Sequence, residues 1–207
     1  MHARTTIVQG NPASVEEGIA QVRDRVMPSV TAMDGCVGIS MLCDRSTGRC
    51  IVTTAWESED AMSASAQSVM PLREEATRTL DAATSDVMMW EIAAVHRDHW
   101  VPEGACARVT WLSGRPETAD RAVDMFRMVV LPRVQEFEGF CAASFMVNRE
   151  AGRAVGAVVF DSRESLEASR DATTQMRERV TQEMDATVDA VEEMEVAFAH
   201  LHVPEMA

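Results

Sequence analysis

The fold of this chain is decided by a turn motif that is written twice. Arg45-Ser-Thr-Gly48-Arg49 matches Arg149-Glu-Ala-Gly152-Arg153, which lies 104 residues further along. The same shift aligns residues 3–96 with residues 107–200 without a gap, and 26 of the 94 aligned pairs are identical. Because loops accept insertions most easily, a gap-free match of this length indicates a tandem duplication of a unit of about a hundred residues.

The composition is that of a folded protein that does not bind polyanions. The 207 residues are 46% hydrophobic and 25% charged, with a formal net charge of −14. No basic stripe is present to contact phosphates, so we expect neither nucleic acid nor an anionic membrane surface as a partner. No run of about 18 apolar residues and no leader pattern occur, which predicts neither a transmembrane helix nor a signal peptide.

The five cysteines give no metal or disulfide signature. They are odd in number and form no CxxC pair. We interpret them as buried, reduced thiols, which predicts a cytoplasmic protein.

Each repeat contains the signals of two helices and four strands. Ser14 with Glu17 forms a capping box at the start of the first helix, and Ser58 caps the second. Pro28 and Pro132 should kink or end the first helix of each repeat. The predicted elements of the first repeat are a strand at Ala3–Gln9, a helix from Ser14, strands at Cys36–Cys43 and Cys50–Trp56, a helix to about Ala83, and a strand at Val87–His96. The last of these strands is apolar on both faces and is therefore expected to be buried.

This βαββαβ order is that of a ferredoxin-like unit, whose sheet has one face without helices. The other repeat is the obvious cover for that face. The predicted fold class is therefore α+β, with two tandem ferredoxin-like units packed sheet to sheet as an intramolecular pseudo-dimeric α+β barrel. We assign residues 1–97 and 105–202 to the repeats, 98–104 to a connector and 203–207 to a tail. A further homo-oligomer is optional, because each repeat already has its partner.

One stretch carries a family resemblance. Gly48-Arg-Cys-Ile-Val-Thr-Thr-Ala-Trp56 runs into Glu57-Ser-Glu-Asp-Ala-Met62. A strand that ends in Trp, followed by Glu-Ser-Glu at the start of the second helix, resembles the antibiotic-biosynthesis monooxygenase-like domains of the dimeric α+β barrel superfamily. In the second repeat Phe160-Asp-Ser-Arg-Glu-Ser-Leu166 keeps the pattern with Phe in place of Trp.

The resemblance implies a function class. Family members include oxygenases that act on polycyclic phenols without a cofactor, and haem-degrading enzymes with a histidine ligand on the second helix. At that register this chain has Arg73 and Arg177, so haem degradation is not expected. We predict a monooxygenase-like protein that needs no cofactor and acts on or binds a small aromatic or polycyclic molecule. The alternative is a non-catalytic binding protein or a structural barrel.

The predicted ligand pocket is in the first repeat and lined by methionine. Trp56 could stack on a planar ligand there, with Met62 beside it and Phe160 at the matching place in the second repeat. The alternative is that Trp56 is a core side chain.

Arginines are the polar candidates. Arg73, Thr77 and Asp81 have four-residue spacing on the second helix, and Arg177, Thr181 and Asp185 repeat them. The arginine of each set either holds an anionic oxygen of a ligand or ties the helix to the other repeat. Arg4 and Arg108 lie on the first strands, where they either pair with acids such as Glu91 and Glu195 or reach the helix-side pocket.

A metal site is a weaker alternative. Histidines end the fourth strands, and first and fourth strands are neighbours in this fold, so His2 should lie near His96, and Cys106 near His200. Imidazole and thiol groups suit zinc, but no ligand spacing supports a site.

Overall fold

The structure is a computed structural model that describes residues 1–201. The predicted tail 203–207 and His202, which ends the predicted second repeat, lie outside the described residues. No helix in the described part is long and apolar enough to cross a membrane.

Both repeats have the predicted order of elements. The first consists of β1 (His2–Gln9), α1 (Val15–Gln21), α2 (Met27–Thr31), β2 (Cys36–Asp44), β3 (Arg49–Trp56), α3 (Glu59–Ala64), α4 (Ala66–Thr79) and β4 (Ser85–Arg97). The second consists of β5 (Cys106–Ser113), α5 (Ala119–Met125), α6 (Leu131–Val134), β6 (Phe140–Asn148), β7 (Arg153–Phe160), α7 (Arg163–Ala168), α8 (Arg170–Met184) and β8 (Thr187–Leu201).

The predicted turn glycine closes the β2–β3 hairpin. Gly48 has a φ of 77°, a left-handed conformation that side chains disfavour. Its N–H donates to the Asp44 carbonyl at 2.9 Å, and its own carbonyl accepts from the Gly10 N–H at 3.0 Å. Gly152 is likewise left-handed, with a φ of 61°, and its carbonyl accepts from the Gly114 N–H at 2.8 Å, although its own N–H donates to the Arg149 carbonyl. The predicted left-handed turn is therefore confirmed in both hairpins.

The first helix starts and continues differently from the prediction. The Ser14 side chain makes no capping bond; Asn11 instead accepts from the Ala13 N–H, before a short turn of 3₁₀-helix. The helix also continues past Pro28. A π-helical turn at Val22–Val26 precedes the proline, and the Met27 N–H bonds the Val22 carbonyl five residues back. The wider π-helical turn lets the helix accommodate proline, which has no N–H. The second repeat has the same kind of turn at Phe126–Val130, before Pro132.

The second helix is interrupted and ends earlier than predicted. α3 ends at Ala64, and α4 begins after Ser65. Asp81 follows the helix with a φ of 54°, as does Asp185 with a φ of 51°. The prediction that Arg73, Thr77 and Asp81 share one helix face is therefore wrong for the aspartate, because the backbone has already left the helix there.

The chain divides into two compact units that do not coincide with the sequence repeats. Within the described residues, unit 1 consists of Met1–Trp90 and residues 195–201, and unit 2 consists of Glu91–Met194. The fourth strand of each repeat is thus shared: residues 91–97 of β4 pair with β6 in unit 2, and residues 195–201 of β8 pair with β2 in unit 1.

Symmetric ion pairs accompany this exchange of strands. In unit 1, Arg45 hydrogen-bonds Glu16 at 2.5 Å and also pairs with Glu195. In unit 2, Arg149 bonds Asp120 at 2.6 Å and Glu91 at 2.7 Å. The strand arginines were expected either to pair with an acid such as Glu91 or Glu195 or to reach the helix-side pocket. Arg108 does pair with an acid, but that acid is Glu193. Glu91 and Glu195 pair instead with the hairpin arginines of the other repeat.

The predicted burial of β4 holds only in its second part. Val87 and Met89 are 36% and 49% exposed, whereas Ile92 to Val95 are buried. Each unit has its own core: Val15, Val22, Val30, Met41 and Trp56 contribute in unit 1, and Phe126, Val134, Phe140, Phe145 and Val147 in unit 2.

The predicted fold class is confirmed. All described strand pairings are antiparallel. The hydrogen-bonded strand order is β1-β3-β2-β8-β5-β7-β6-β4 and closes on itself, as in an α+β barrel.

Candidate functional site

Unit 2 contains a cavity of about 150 Å³ between its strands and its helices. Strands β5, β6 and β7 form its floor, and helices α5, α6 and α8 cover it. Its surface is mainly apolar, with aromatic, aliphatic and thioether groups from both layers. The principal apolar residues are Phe126, Val134, Phe145, Val147, Met176 and Met184.

Differences between the repeats explain why space remains in unit 2. Gly156 and Ala119 line the cavity, and the first repeat has Val52 and Val15 at these positions. A Cβ atom added to Gly156 would lie 3.6 Å from the Phe145 ring, an ordinary contact, so a side chain could be accommodated there. The absence of a side chain at Gly156 therefore leaves volume that a valine would fill.

In unit 1 the equivalent space is occupied from the helix side. Leu80 is 1% exposed, and its side chain lies so close to Gly18 that an added Cβ would be 2.2 Å from the leucine Cδ2. The second repeat has Met184 and Ala122 at these places, and both line the cavity.

Arg108 lies at the cavity wall with its hydrogen-bonding capacity already used. It is 4% exposed, and its five N–H groups all have acceptors. Nε and Nη2 donate to Glu193 at 3.2 and 2.9 Å, and Nη1 donates to Ser169 and Thr173. Nη2 also donates to the Leu166 carbonyl at 2.7 Å. Arg108 therefore has a structural role at the cavity wall. It has no free N–H group left to donate to an anionic ligand.

Arg177 lines the same cavity, and its guanidinium has N–H groups without an acceptor among the described residues. Its Nη2 donates to Thr174 at 3.1 Å, and it forms no salt bridge within the described residues. Burial and the neighbouring Arg108 charge lower its pKa from the ordinary value of 12.5. An arginine stays protonated at neutral pH all the same. Arg177 is thus a half-buried cation at an apolar space; it has no salt bridge within residues 1–201, and the Glu178 charge only partly offsets the effects that lower its pKa.

The residues that line the cavity include no Asp, Glu, His or Cys within the part of the chain described here. A general base must lie within hydrogen-bonding reach of the proton it removes. The lining therefore offers no carboxylate, imidazole or thiolate for that task. Nor does it offer an imidazole to ligate haem, and a porphyrin is far larger than the space.

Trp56 lies in the core of unit 1 and not in this cavity. It is 0% exposed; its Nε1 donates to Thr54 at 3.0 Å, and the Arg4 guanidinium carbon lies 5.9 Å from the ring centre. Met62 is 2% and Phe160 0% exposed. These three side chains pack as core groups. The cavity described above lies in unit 2, whereas the ligand pocket was predicted in the first repeat.

Arg4 and Arg73 are in unit 1. Arg4 is 3% exposed, and its pKa is lowered by burial and by the charge of Arg73. The Arg73 carbonyl accepts from the Thr77 hydroxyl, as the Arg177 carbonyl does from Thr181. The Asp81 carboxylate accepts from the Asn11 amide at 3.1 Å, and within residues 1–201 no hydrogen bond or ion pair joins it to Arg73.

The weaker metal alternative finds no support. No group of three or more His, Cys, Asp or Glu side chains in residues 1–201 is arranged to hold a metal ion. His2 lies 3.9 Å from Glu59, and His96 contacts Gln135 and stacks on Phe140. Cys106 packs with Phe160 and Leu166, so the predicted set of His2, His96, Cys106 and His200 does not form a ligand group.

The five cysteines are free thiols. Cys43 lies directly opposite Cys50 in the β2–β3 ladder, and the hydrogen bond that the Cys43 thiol donates to Cys50, together with burial, raises the pKa of Cys43. A buried thiol with a raised pKa is a poor nucleophile.

Comparisons with known proteins identify the family. Residues 1–76 match the model of the family described as antibiotic biosynthesis monooxygenase. Over its whole length the chain is 45% identical to the uncharacterised protein Rv2558 of Mycobacterium tuberculosis and covers 87% of it. The uncharacterised protein Rv2557 of the same organism is 43% identical and 92% covered.

Residues 1–76 form a domain of the antibiotic biosynthesis monooxygenase family. Solved structures agree on the fold. A protein of Lactobacillus acidophilus described as a proposed monooxygenase has a TM-score of 0.70 at 12% identity, with 97% of this chain and 96% of that chain covered. An anthrone oxidase-like protein has a TM-score of 0.68 at 12% identity, with 100% and 94% covered. At such identities the likeness shows the fold alone, and it extends over both repeats.

The residues that shape this site were not predicted from the sequence. Gly156 lies within a predicted strand, where an isolated glycine signals a close approach or a missing side chain. The first repeat has Val52 at the equivalent position. This difference between Gly156 and Val52 was the sequence signal that could have indicated a cavity in the second repeat.

Proposed function

We propose that the cavity of unit 2 binds a small aromatic molecule with an acidic substituent, such as a phenolate or a benzoate. The observation that carries this proposal is the pairing of an apolar space with Arg177, a half-buried cation that has no salt bridge in the described residues.

The size of the cavity supports one aromatic ring. An apolar protein cavity of about 150 Å³ accommodates benzene, and this one measures about 150 Å³. The predicted polycyclic ligand is therefore less well supported than a single ring.

The charge of the lining supports an anion. Arg108 is neutralised by Glu193, whereas Arg177 can offer N–H groups to an anionic oxygen. A charge-assisted hydrogen bond contributes about 1.5–3 kcal/mol, so an ionised ligand should bind about 10–100 times more tightly than its neutral analogue.

Oxygenation is the second candidate function, and family membership favours it. A phenolate can give an electron to dioxygen, but a neutral phenol must first lose its proton. Because the described lining offers no carboxylate, imidazole or thiolate base, only a ligand that is ionised on arrival would react here. Binding without oxygenation is the simpler function, and we propose it first. The free thiols support a reducing, cytoplasmic location for it.

The test uses pairs of ligands that differ in ionisation: benzoate with benzamide, and 4-nitrophenolate with 4-nitroanisole. Binding is measured by calorimetry, and oxygen uptake is recorded without added cofactor. We expect the ionised member of each pair to bind more tightly, and Arg177→Met to remove most of that preference.

The first repeat supplies the matched controls. Gly156→Val introduces the residue that the first repeat has and should abolish binding by filling the cavity, whereas Val52→Gly in the other unit should leave it unchanged. Equal affinity in wild type and Gly156→Val would show that the ligand is not in this cavity. Oxygen uptake that depends on Arg177 would establish the second candidate.

A further inference from the structure

Arg4 of unit 1 and Arg108 of unit 2 occupy the same position in the two repeats and adopt the same pose. Each Nη1 donates to a serine hydroxyl, at 3.1 and 2.9 Å, and each Nη2 donates to a carbonyl near the end of a short helix, at 2.5 and 2.7 Å. The shared partners are Ser65 and Met62 for Arg4, and Ser169 and Leu166 for Arg108.

The two arginines differ in their further hydrogen-bond partners. Arg108 makes three further bonds, two to Glu193 and one to Thr173. At the corresponding positions the first repeat has Met89 and Val69, which offer neither a carboxylate nor a hydroxyl. Within the described residues Arg4 has no salt bridge and no hydrogen bond from Nε.

A buried cation in this state is costly. Arg4 is 3% exposed, and the nearby Arg73 adds repulsion. Arginine cannot relieve this cost by losing its proton. The Trp56 ring gives partial compensation through its face, 5.9 Å from the guanidinium carbon. Buried charges are normally paired, and unit 2 supplies the pair with Glu193.

We propose that the Nε/Nη2 edge of Arg4 binds a small monocarboxylate, such as formate or acetate, in the position that the Glu193 carboxylate occupies on Arg108. A carboxylate matches the two parallel N–H groups of that edge. The residues at the two positions that surround the carboxylate in unit 2 are at the surface in unit 1. Met89 and Ala66 stand where unit 2 has Glu193 and Arg170, and both are exposed.

This site is independent of the function proposed for unit 2. It lies in the other compact unit and uses no residue of the cavity. A linear carboxylate also lacks the aromatic ring on which binding in the cavity depends.

The experiment measures thermal unfolding of the full-length protein in rising sodium acetate, at ionic strength held constant with sodium chloride. The slope of unfolding free energy against the logarithm of acetate concentration, near saturation, gives the number of carboxylates bound by the folded state. We expect a slope of one, in units of RT per natural-logarithm unit, for the wild type. Met89→Glu supplies the missing acid from within the chain, so it should raise the midpoint without acetate and reduce the slope to zero.

The reciprocal change is Glu193→Met, which removes the carboxylate from the Nε/Nη2 edge of Arg108 and should raise the slope to two. Gly156→Val, which fills the unit 2 cavity, should leave the slope at one. A Met89→Glu protein that responds to acetate as the wild type does would overturn the proposal. So would loss of the response in Gly156→Val, or a chloride series at matched sodium that stabilises as much as acetate. If Glu193→Met does not fold, the Met89→Glu comparison still decides.

Discussion

At the scale of single residues, the two repeats show what one carboxylate does for a buried arginine. Glu193 accepts from both Arg108 and Arg170 and is itself only 21% exposed. Burial alone would raise the pKa of Glu193, but the hydrogen bonds and charges of the two arginines outweigh it and lower the pKa below the ordinary 4.5.

Glu193→Gln should therefore destabilise the protein by about 1.5–3 kcal/mol at pH 7, since it removes charge-assisted bonds to buried Arg108. Because the folded pKa is depressed, the contribution of Glu193 is fully present above pH 4.5 and is lost as the pH falls through the folded value. Urea unfolding from pH 7 to pH 3 checks this. The control is Glu183→Gln, which removes only an exposed contact 3.8 Å from Arg121. A wild-type advantage that does not shrink with falling pH would contradict the assignment.

Arg177 is the other residue with a predicted effect. Arg177→Lys keeps the charge but loses the planar donor fork, so we expect it to retain part of the preference for ionised ligands that Arg177→Met loses. Calorimetry with benzoate ranks the three proteins. If lysine and methionine bind benzoate equally, charge is not what the residue contributes.

At the scale of elements, the hairpin turns are the most constrained points of each repeat. Gly48 combines a φ of 77° with close packing, because an added Cβ would lie 2.3 Å from the Gly10 carbonyl oxygen. The left-handed conformation costs a non-glycine residue about 1–2 kcal/mol, and the clash with backbone adds to it.

Gly48→Ala should thus destabilise more than Gly104→Ala. Gly104 has a φ of 85°, but nothing lies within 4 Å of the Cβ it would gain. The difference between the two variants in unfolding free energy isolates the cost of the clash, which we expect to be at least about 1 kcal/mol. Equal losses in the two variants would show that the β1–α1 turn moves away freely.

At the scale of the whole molecule, the exchange of fourth strands explains why the duplication is kept in one chain. Residues 195–201 pair with β2 of the first repeat, and residues 91–97 pair with β6 of the second. Each compact unit is therefore incomplete without a segment of the other repeat.

Residues 1–100 expressed alone should dimerise or aggregate, because β2 lacks its neighbour and unpaired strand edges associate. The expected dimer is one in which residues 91–97 of each copy take the place of residues 195–201, since the repeats align these segments. Sedimentation and light scattering measure the outcome, with the full chain as the control. A stable monomer of residues 1–100 would contradict the exchange.

The sequence by itself determined the duplication, the order of elements, the left-handed hairpin glycines and the fold class. These follow from local patterns and from the 104-residue shift, which needs no knowledge of distant contacts. It also singled out Arg4, Arg108 and Arg177 as unusual polar residues on apolar elements.

Only the tertiary structure decided which acids those arginines meet and where space remains. Strand pairing across about a hundred residues brings Glu193 to Arg108 and carries Glu91 and Glu195 to the hairpin arginines. The cavity depends on whether side chains from several elements fill a volume together, as Leu80 does in unit 1 and Gly156 fails to do in unit 2. Pairing register and packed volume are sums over non-local contacts, so no local pattern encodes them.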